Sequence, residues 1–167
     1  MRNEFTLITG EEALAELVKI INRYDVGRLA LFGEDFPYML PINHAYLDGK
    51  LIMHGSFKGK KIDLMRRNSK ACYEVDGPRD GNPKKERSCH LEYESVLCYG
   101  SIKELGDCPL KYEYLDHQVA TLGQAAVDHG KMKNTNCFVF EITEMTGRTG
   151  RFHPDGERPL YIYRFIR

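Results

Sequence analysis

At 167 residues and 42% hydrophobic composition, the chain is large enough to bury one sizeable core, so a single domain spanning residues 1–167 is expected. Lys plus Arg and Asp plus Glu both number 24, and this zero formal net charge excludes a chain-wide field for polyanions, which argues against a nucleic-acid partner. No run approaches the ~18 apolar residues of a membrane span and residues 1–6 lack a signal-peptide core, so no membrane partner and a cytoplasmic location are expected. The five cysteines, Cys72, Cys89, Cys98, Cys108 and Cys137, are odd in number and contain no CxxC pair; neither a disulfide framework nor a four-ligand zinc site follows.

Along the chain, Thr9 followed by Glu12 has capping-box spacing, and Leu14, Leu17, Val18 and Ile21 then share one helical face, predicting a helix over residues 11–23. Residues 28–32 read as a strand closing at Gly33. Residues 38–47 and 50–56 form two apolar runs around Asp48-Gly49, a strong hairpin signal because both central turn residues need positive φ. A short helix over residues 59–68 follows, then a strand over 70–76. The polar, turn-rich stretch 77–92 reads as a loop. Residues 95–105 predict a long strand with Gly100 at a bend or bulge. Tyr112, Leu115, Val119, Leu122 and Ala126 fit a helix, and residues 136–145 and 160–166 return to strand.

About six strands and three helices, with hairpin links, point to an antiparallel barrel or sandwich of α+β type with helices at its ends. No GxGxxG follows a strand and no GxxxxGK[ST] is present, so the familiar dinucleotide and P-loop fingerprints are absent.

Chemistry concentrates where the hairpin runs into the second helix. The second strand delivers its chain into Ser56, Lys58, Lys60 and Lys61, where a hydroxyl, ammonium groups and free helix-start amides suit a phosphate monoester. Six Lys or Arg stand against the single Asp63 over residues 58–70; a solvated basic helix face explains the same run equally well. Pro41 cannot donate to a strand ladder, which marks a gap or edge and leaves backbone groups around Leu40, Pro41, Ile42 and Asn43 for a flat polar-rimmed ring. His54 sits between Met53 and Gly55 at the strand end before the phosphate residues, and an imidazole can exchange a proton near neutrality. His44, His90, His117, His129 and His153 read as surface or packing histidines, and Cys89-His90 is half a metal site without a second pair.

Taken together, Gly27-Arg28-Leu29-Ala30, residues 37–43, Met53-His54-Gly55-Ser56 with Gly59-Lys60-Lys61-Ile62-Asp63, Arg67-Asn68, Cys72-Tyr73-Glu74-Val75 and Tyr93-Glu94-Ser95-Val96 keep the order and spacing of a known family. Over residues 9–145 the chain resembles the FMN-binding split-barrel proteins related to pyridoxamine 5′-phosphate oxidase, nearest their nitroimidazole-resistance (Nim-like) branch. The resemblance implies a six-stranded antiparallel split β-barrel that forms a homodimer, with FMN in clefts between the subunits. It implies cofactor contacts from Leu40, Pro41, Ile42, Asn43, Met53, His54, Ser56, Lys58, Lys60, Lys61 and Ser95, and it raises His54 to a catalytic candidate. Pyridoxamine phosphate oxidases carry an Arg and a Lys at the ends of the strand that here begins with Tyr38 and ends with Asn43; this shifts phosphate binding onto Ser56 and the lysines. The expected activity is an FMN-dependent oxidoreductase passing electrons, with NAD(P)H as a possible donor, to a small-molecule acceptor such as a nitroaromatic. The alternative is a non-catalytic flavin- or haem-binding protein, with His44 or His54 as an axial ligand for haem.

Overall fold

The computed structural model describes residues 5–78, 93–150 and 160–167. Their elements run β1 (Phe5–Thr9), α1 (Gly10–Ile21), β2 (Val26–Leu31), β3 (Tyr38–Asn43), β4 (Ala45–Leu47), β5 (Lys50–Gly55), α2 (Lys60–Arg67), β6 (Lys70–Pro78), β7 (Tyr93–Leu105), α3 (Pro109–Thr121), α4 (His129–Met132), β8 (Asn136–Gly150) and β9 (Leu160–Ile166). Of the loop expected over 77–92, Gly77 and Pro78 instead continue strand β6 opposite Glu94 and Tyr93, and 79–92, with Cys89 and His90, lie outside the described residues, as does His153.

The strands form one mixed sheet in the order β1-β9-β8-β7-β6-β2-β3, and β8 also pairs β5, which pairs β4. The mainly-β split-barrel class expected from the sequence holds, with two differences. The described sheet has nine strands rather than six, and β1 runs parallel to β9 while the other pairs are antiparallel. Pairing along β1 also decides the start of α1. Thr9 lies opposite Arg164 in the ladder, and its side chain makes no capping bond, so the expected capping box does not form.

Alternation along the strands builds the core. Leu29 and Leu31 of β2, Tyr73 and Val75 of β6, and Val96 and Cys98 of β7 point inward, and α1 closes over them with Ala13, Leu17, Ile20 and Ile21. Gly147 permits that closure, since a Cβ there would come within 2.4 Å of Leu17. The expected irregularity at Gly100 is present, and the inserted residue is Thr143 on the partner strand: Tyr99 pairs Glu144 while Gly100 pairs Ile142. One extra residue exchanges the two faces. Phe138, Phe140 and Ile142 are therefore buried before it, and Met145, Gly147 and Thr149 after it. Gly100 is needed because a Cβ would meet the Glu141 carbonyl oxygen at 2.0 Å.

A second, smaller core explains why β8 is buried on both faces at its start. Leu115 of α3 and Met132 of α4 cover Ile52, Cys137 and Val139 on the outside of the barrel. Leu115 of the expected stripe is buried and Tyr112 and Val119 pack beside it, but α3 ends at Thr121, short of Leu122 and Ala126, and Lys111 and Gln118 are buried as well. The burial of these two polar residues was not part of the apolar sequence pattern. No described helix is long and apolar enough to cross a membrane.

Candidate functional site

The barrel is split between β3 and β5. β3 is bonded to β2 along one side and, among the described residues, to no strand along the other. β4 follows β5 only as far as Ile52, so among the described residues Met53, His54 and Gly55 have β8 on one side and no strand on the other. Two backbone edges without a shared ladder thus bound a gap. Sequence placed Pro41 at such an edge; its partner across β2 is Arg28.

The start of α2 lies at the end of this gap. Asp48 and Gly49 turn the hairpin with φ of 45° and 77°, as the Asp-Gly signal requires, and β5 then runs to Gly55. Gly59, at φ 118°, reverses the chain into the helix, a backbone conformation that strains residues with a side chain. From the first turn, the Lys60 ammonium lies 5.3 Å from the centre of the Tyr38 ring of β3. The Lys61 ammonium lies 5.4 Å from that of Phe138 of β8. Gly55 makes room for Lys61, whose Nζ would stand 2.6 Å from a Cβ at that position.

Cations of this basic run fall into two groups. Toward the helix C-terminus, Arg66 pairs with Glu104 and Arg67 with Glu34, whose carboxyl is drawn below its usual range by the hydrogen bond and charge of Arg67. Lys58, Lys60 and Lys61 have no carboxylate at ion-pair distance among the described residues. Burial alone holds the Lys61 ammonium below the usual lysine range. A half-buried cation lacking a counter-charge is costly unless an anion joins it. The Ser56 hydroxyl donates to the Lys58 carbonyl at 2.7 Å, which tightens the loop and leaves the oxygen free to accept.

Along β3 the side chains alternate. Tyr38, Leu40 and Ile42 pack against the core, whereas Met39, Pro41 and Asn43 are exposed. Leu40 and Ile42 can therefore face a ligand through backbone only. Met53 is fully buried in the core, so its side chain offers the gap nothing. The carbonyls beyond Pro41, expected to be free, are partly engaged. Ile42 O accepts from the Tyr73 hydroxyl at 2.9 Å, and Asn43 O accepts from Gln118 Nε2 at 3.2 Å.

His54 is exposed, and its Nδ1 lies 3.0 Å from Gln118 Oε1. Its Nε2 has no protein partner among the described residues. His44 is the opposite case: it is buried, with Nδ1 2.8 Å from the Tyr73 hydroxyl and Nε2 3.2 Å from the Ile21 carbonyl. As a packing histidine it agrees with expectation, and with both nitrogens occupied it is no candidate for an axial ligand.

Ser95 does not join the cluster within one chain. It pairs Arg148, whereas His54 pairs Cys137, which lies opposite Leu105 at the far end of β7. The ten residue steps from Ser95 to Leu105 span about 30 Å of strand. The sequence gave no signal for Gln118, and marked Tyr73 only as part of a family motif; these two side chains tie β3 to its surroundings. A separate cavity of about 720 Å³ lies on the outer side of β2, β6 and β7, walled by Phe32, Phe36, Cys72 and Tyr99 and containing none of the predicted site residues.

An open-edged, mostly antiparallel barrel of this kind, with lysines that meet no carboxylate among the described residues at the mouth of its gap, has a split-barrel architecture. The pyridoxamine 5′-phosphate oxidase profile matches residues 14–149, and the chain belongs to that family. Its fold is similar to that of a candidate 5-nitroimidazole antibiotic resistance protein of Bacteroides thetaiotaomicron, with a TM-score of 0.69, 22% identity and coverage of 81% of this chain and 82% of that one. A protein of Mesorhizobium loti described as FAD-binding is 26% identical, with a TM-score of 0.63 over 81% of this chain and 93% of the other. A Mycobacterium smegmatis protein described as binding FAD and haem is 16% identical at a TM-score of 0.57, over 81% of this chain and 67% of that one. An uncharacterized protein of Rhizobium meliloti shares 32% identity over 81 residues, 48% of this chain and 47% of that relative. That match spans only about half of the relative's length.

Proposed function

We propose that the chain binds a flavin nucleotide, FMN, in the gap between β3 and the end of β5, and serves as an oxidoreductase toward a small electron-poor acceptor. The observation that carries this reading is the half-buried Lys61 ammonium, without a carboxylate partner among the described residues, at the end of a gap bounded by two unpaired backbone edges. A phosphate monoester supplies the missing anion. Lys61 and Lys58 are its main holders, with Lys60, the Ser56 hydroxyl and the first amides of α2 assisting. Backbone of Leu40, Pro41, Ile42 and Asn43 lines the β3 edge for the polar rim of the ring.

When bound, the flavin supplies the redox chemistry. The polypeptide holds the phosphate, orients the ring, limits access and, at His54, keeps a proton-exchanging group at the open end of β5. NADH or NADPH is the donor class and a nitroaromatic the acceptor class to test first.

The Mesorhizobium protein described as FAD-binding favours a second reading, in which the nucleotide is FAD and its flavin phosphate meets the same lysines. A visible spectrum and the identity of the ligand released on denaturation decide the cofactor, and anaerobic bleaching by NADH or NADPH tests turnover. Two broad flavin bands support the proposal; an intense Soret band would move it to haem. Equal affinity for FMN and riboflavin would remove the phosphate role from the lysines.

A homodimer belongs to the same proposal. The gap is open along one side, and Ser95 can contribute to it only from another copy. The outer face bearing Phe32, Phe36 and Tyr99, exposed by 61%, 82% and 37%, is the surface we assign to the second subunit. Tyr93 at the start of β7 is exposed and open to such a contact, whereas Cys137 to Phe140 are buried within this subunit. Light scattering of the flavin-loaded protein checks this; a monomer with full occupancy would count against it.

A further inference from the structure

Between the two edges of the gap stands a buried carboxamide. Gln118, 1% exposed, reaches from α3 and makes two hydrogen bonds: its Nε2 donates to the Asn43 carbonyl at 3.2 Å, and its Oε1 lies 3.0 Å from His54 Nδ1. A backbone carbonyl can only accept. The carboxamide must therefore turn its NH₂ toward Asn43, leaving its oxygen, also only an acceptor, against the imidazole. His54 must in turn donate from Nδ1. The chain of single-direction donors and acceptors fixes the proton on the imidazole, although the ring itself is exposed.

We propose that Gln118 is a positioning residue that ties the β3 edge to the end of β5 and holds neutral His54 as its Nδ1–H tautomer, so that Nε2 presents a lone pair. His54 then offers an acceptor to an O–H or N–H group of a bound molecule and donates from Nε2 only as the imidazolium. An imidazole free in water prefers the opposite tautomer, with the proton on Nε2. The geometry thus selects substrates or intermediates that bring a hydrogen to His54 over those that bring only lone pairs. What faces Nε2 rests on the flavin-site reading; the tautomer itself does not.

The test reads the side-chain nitrogens of His54 by long-range proton–nitrogen correlation in the full-length labelled protein, at a pH where imidazole is neutral. The expected result is a protonated, pyrrole-like Nδ1 and a pyridine-like Nε2; the reverse pattern would overturn the proposal. Gln118→Met removes the acceptor and should shift His54 toward Nε2–H, while unchanged nitrogen shifts would overturn the positioning role. Gln118→Glu restores an acceptor and should bring back the Nδ1–H pattern. If Gln118→Met does not fold, the native protein and Gln118→Glu still decide. Flavin binding is followed separately by fluorescence titration. An Nδ1–H pattern without flavin affinity supports Gln118 and removes the flavin reading; flavin affinity with an Nε2–H pattern does the reverse.

Discussion

The two sides of this barrel are held by different means. On the closed side, β6, β7 and β8 run alongside one another in continuous antiparallel register for most of their length, over a core of Tyr73, Phe138 and Phe140. On the open side, β3 and the end of β5 share no ladder; Gln118 bonds both, to Asn43 and His54, while Tyr73 and Lys60 hold β3 at Ile42 and Tyr38. Backbone ladders and buried area define the first region once and for all. A few polar groups, several with unused capacity, define the second. Stability resides mainly where the surface is fully buried, and the proposed flavin site lies where the backbone is left unpaired.

The sharpest way to break this contrast is to make the same kind of truncation on each side. Phe140 is fully buried, so Phe140→Ala should cost about 3–5 kcal/mol, read from chemical denaturation. A loss below about 1 kcal/mol would show that this side of the core is not what organises the barrel. On the open side, His54→Ala should leave folding and FMN binding intact yet slow acceptor reduction per bound flavin by ~10²-fold. An unchanged rate per flavin would reduce His54 to an ordinary surface residue.

A smaller effect is expected at the phosphate. Lys61→Ala should weaken FMN by about ten- to a hundredfold, the equivalent of roughly 1.5–3 kcal/mol for a charge-assisted hydrogen bond, and affect riboflavin little. Because this cation is desolvated and lacks a carboxylate partner among the described residues, the flavin-free protein should lose no stability. Equal losses for both ligands would place Lys61 with the structural side.

The smallest expected effect comes from the buried histidine. Burial foremost depresses the His44 imidazole below its ordinary 6.5, against the opposing pull of the Ile21 carbonyl and Asp25. The unfolded chain then binds a proton below pH 6.5 that the folded chain does not. This contribution is flat above that pH, and stability falls as pH drops from 6.5 toward the depressed folded value. In His44→Gln the acid slope of the denaturation midpoint should flatten; an identical slope would assign acid sensitivity to other groups.

Local signals were legible wherever they act over a few residues. Asp48-Gly49 announced its turn, Gly100 its bulge and Pro41 its unpaired edge, since each is a steric or hydrogen-bonding demand of the residue itself. The same holds for the lysines after β5. Thr9 and Glu12 failed as a capping box because β9, some 150 residues later, claims Thr9 for its ladder. Burial of Lys111 and Gln118 was not legible in the pattern of α3, since partners outside the helix satisfy their polar ends.

The sequence by itself determined the family, the hairpin, the run of lysines after β5 and the α+β class, because these depend on local turn geometry, strand period and the order of short motifs. Only the tertiary structure decided which cations were already neutralised, which of two histidines ten residues apart keeps an uncommitted nitrogen, and how Ser95 stands apart from the gap. Those outcomes depend on what a side chain meets across the barrel. A carboxylate from β7 finds Arg66, a tyrosine from β6 finds His44 and a glutamine from α3 finds His54, and no spacing along the chain encodes such encounters.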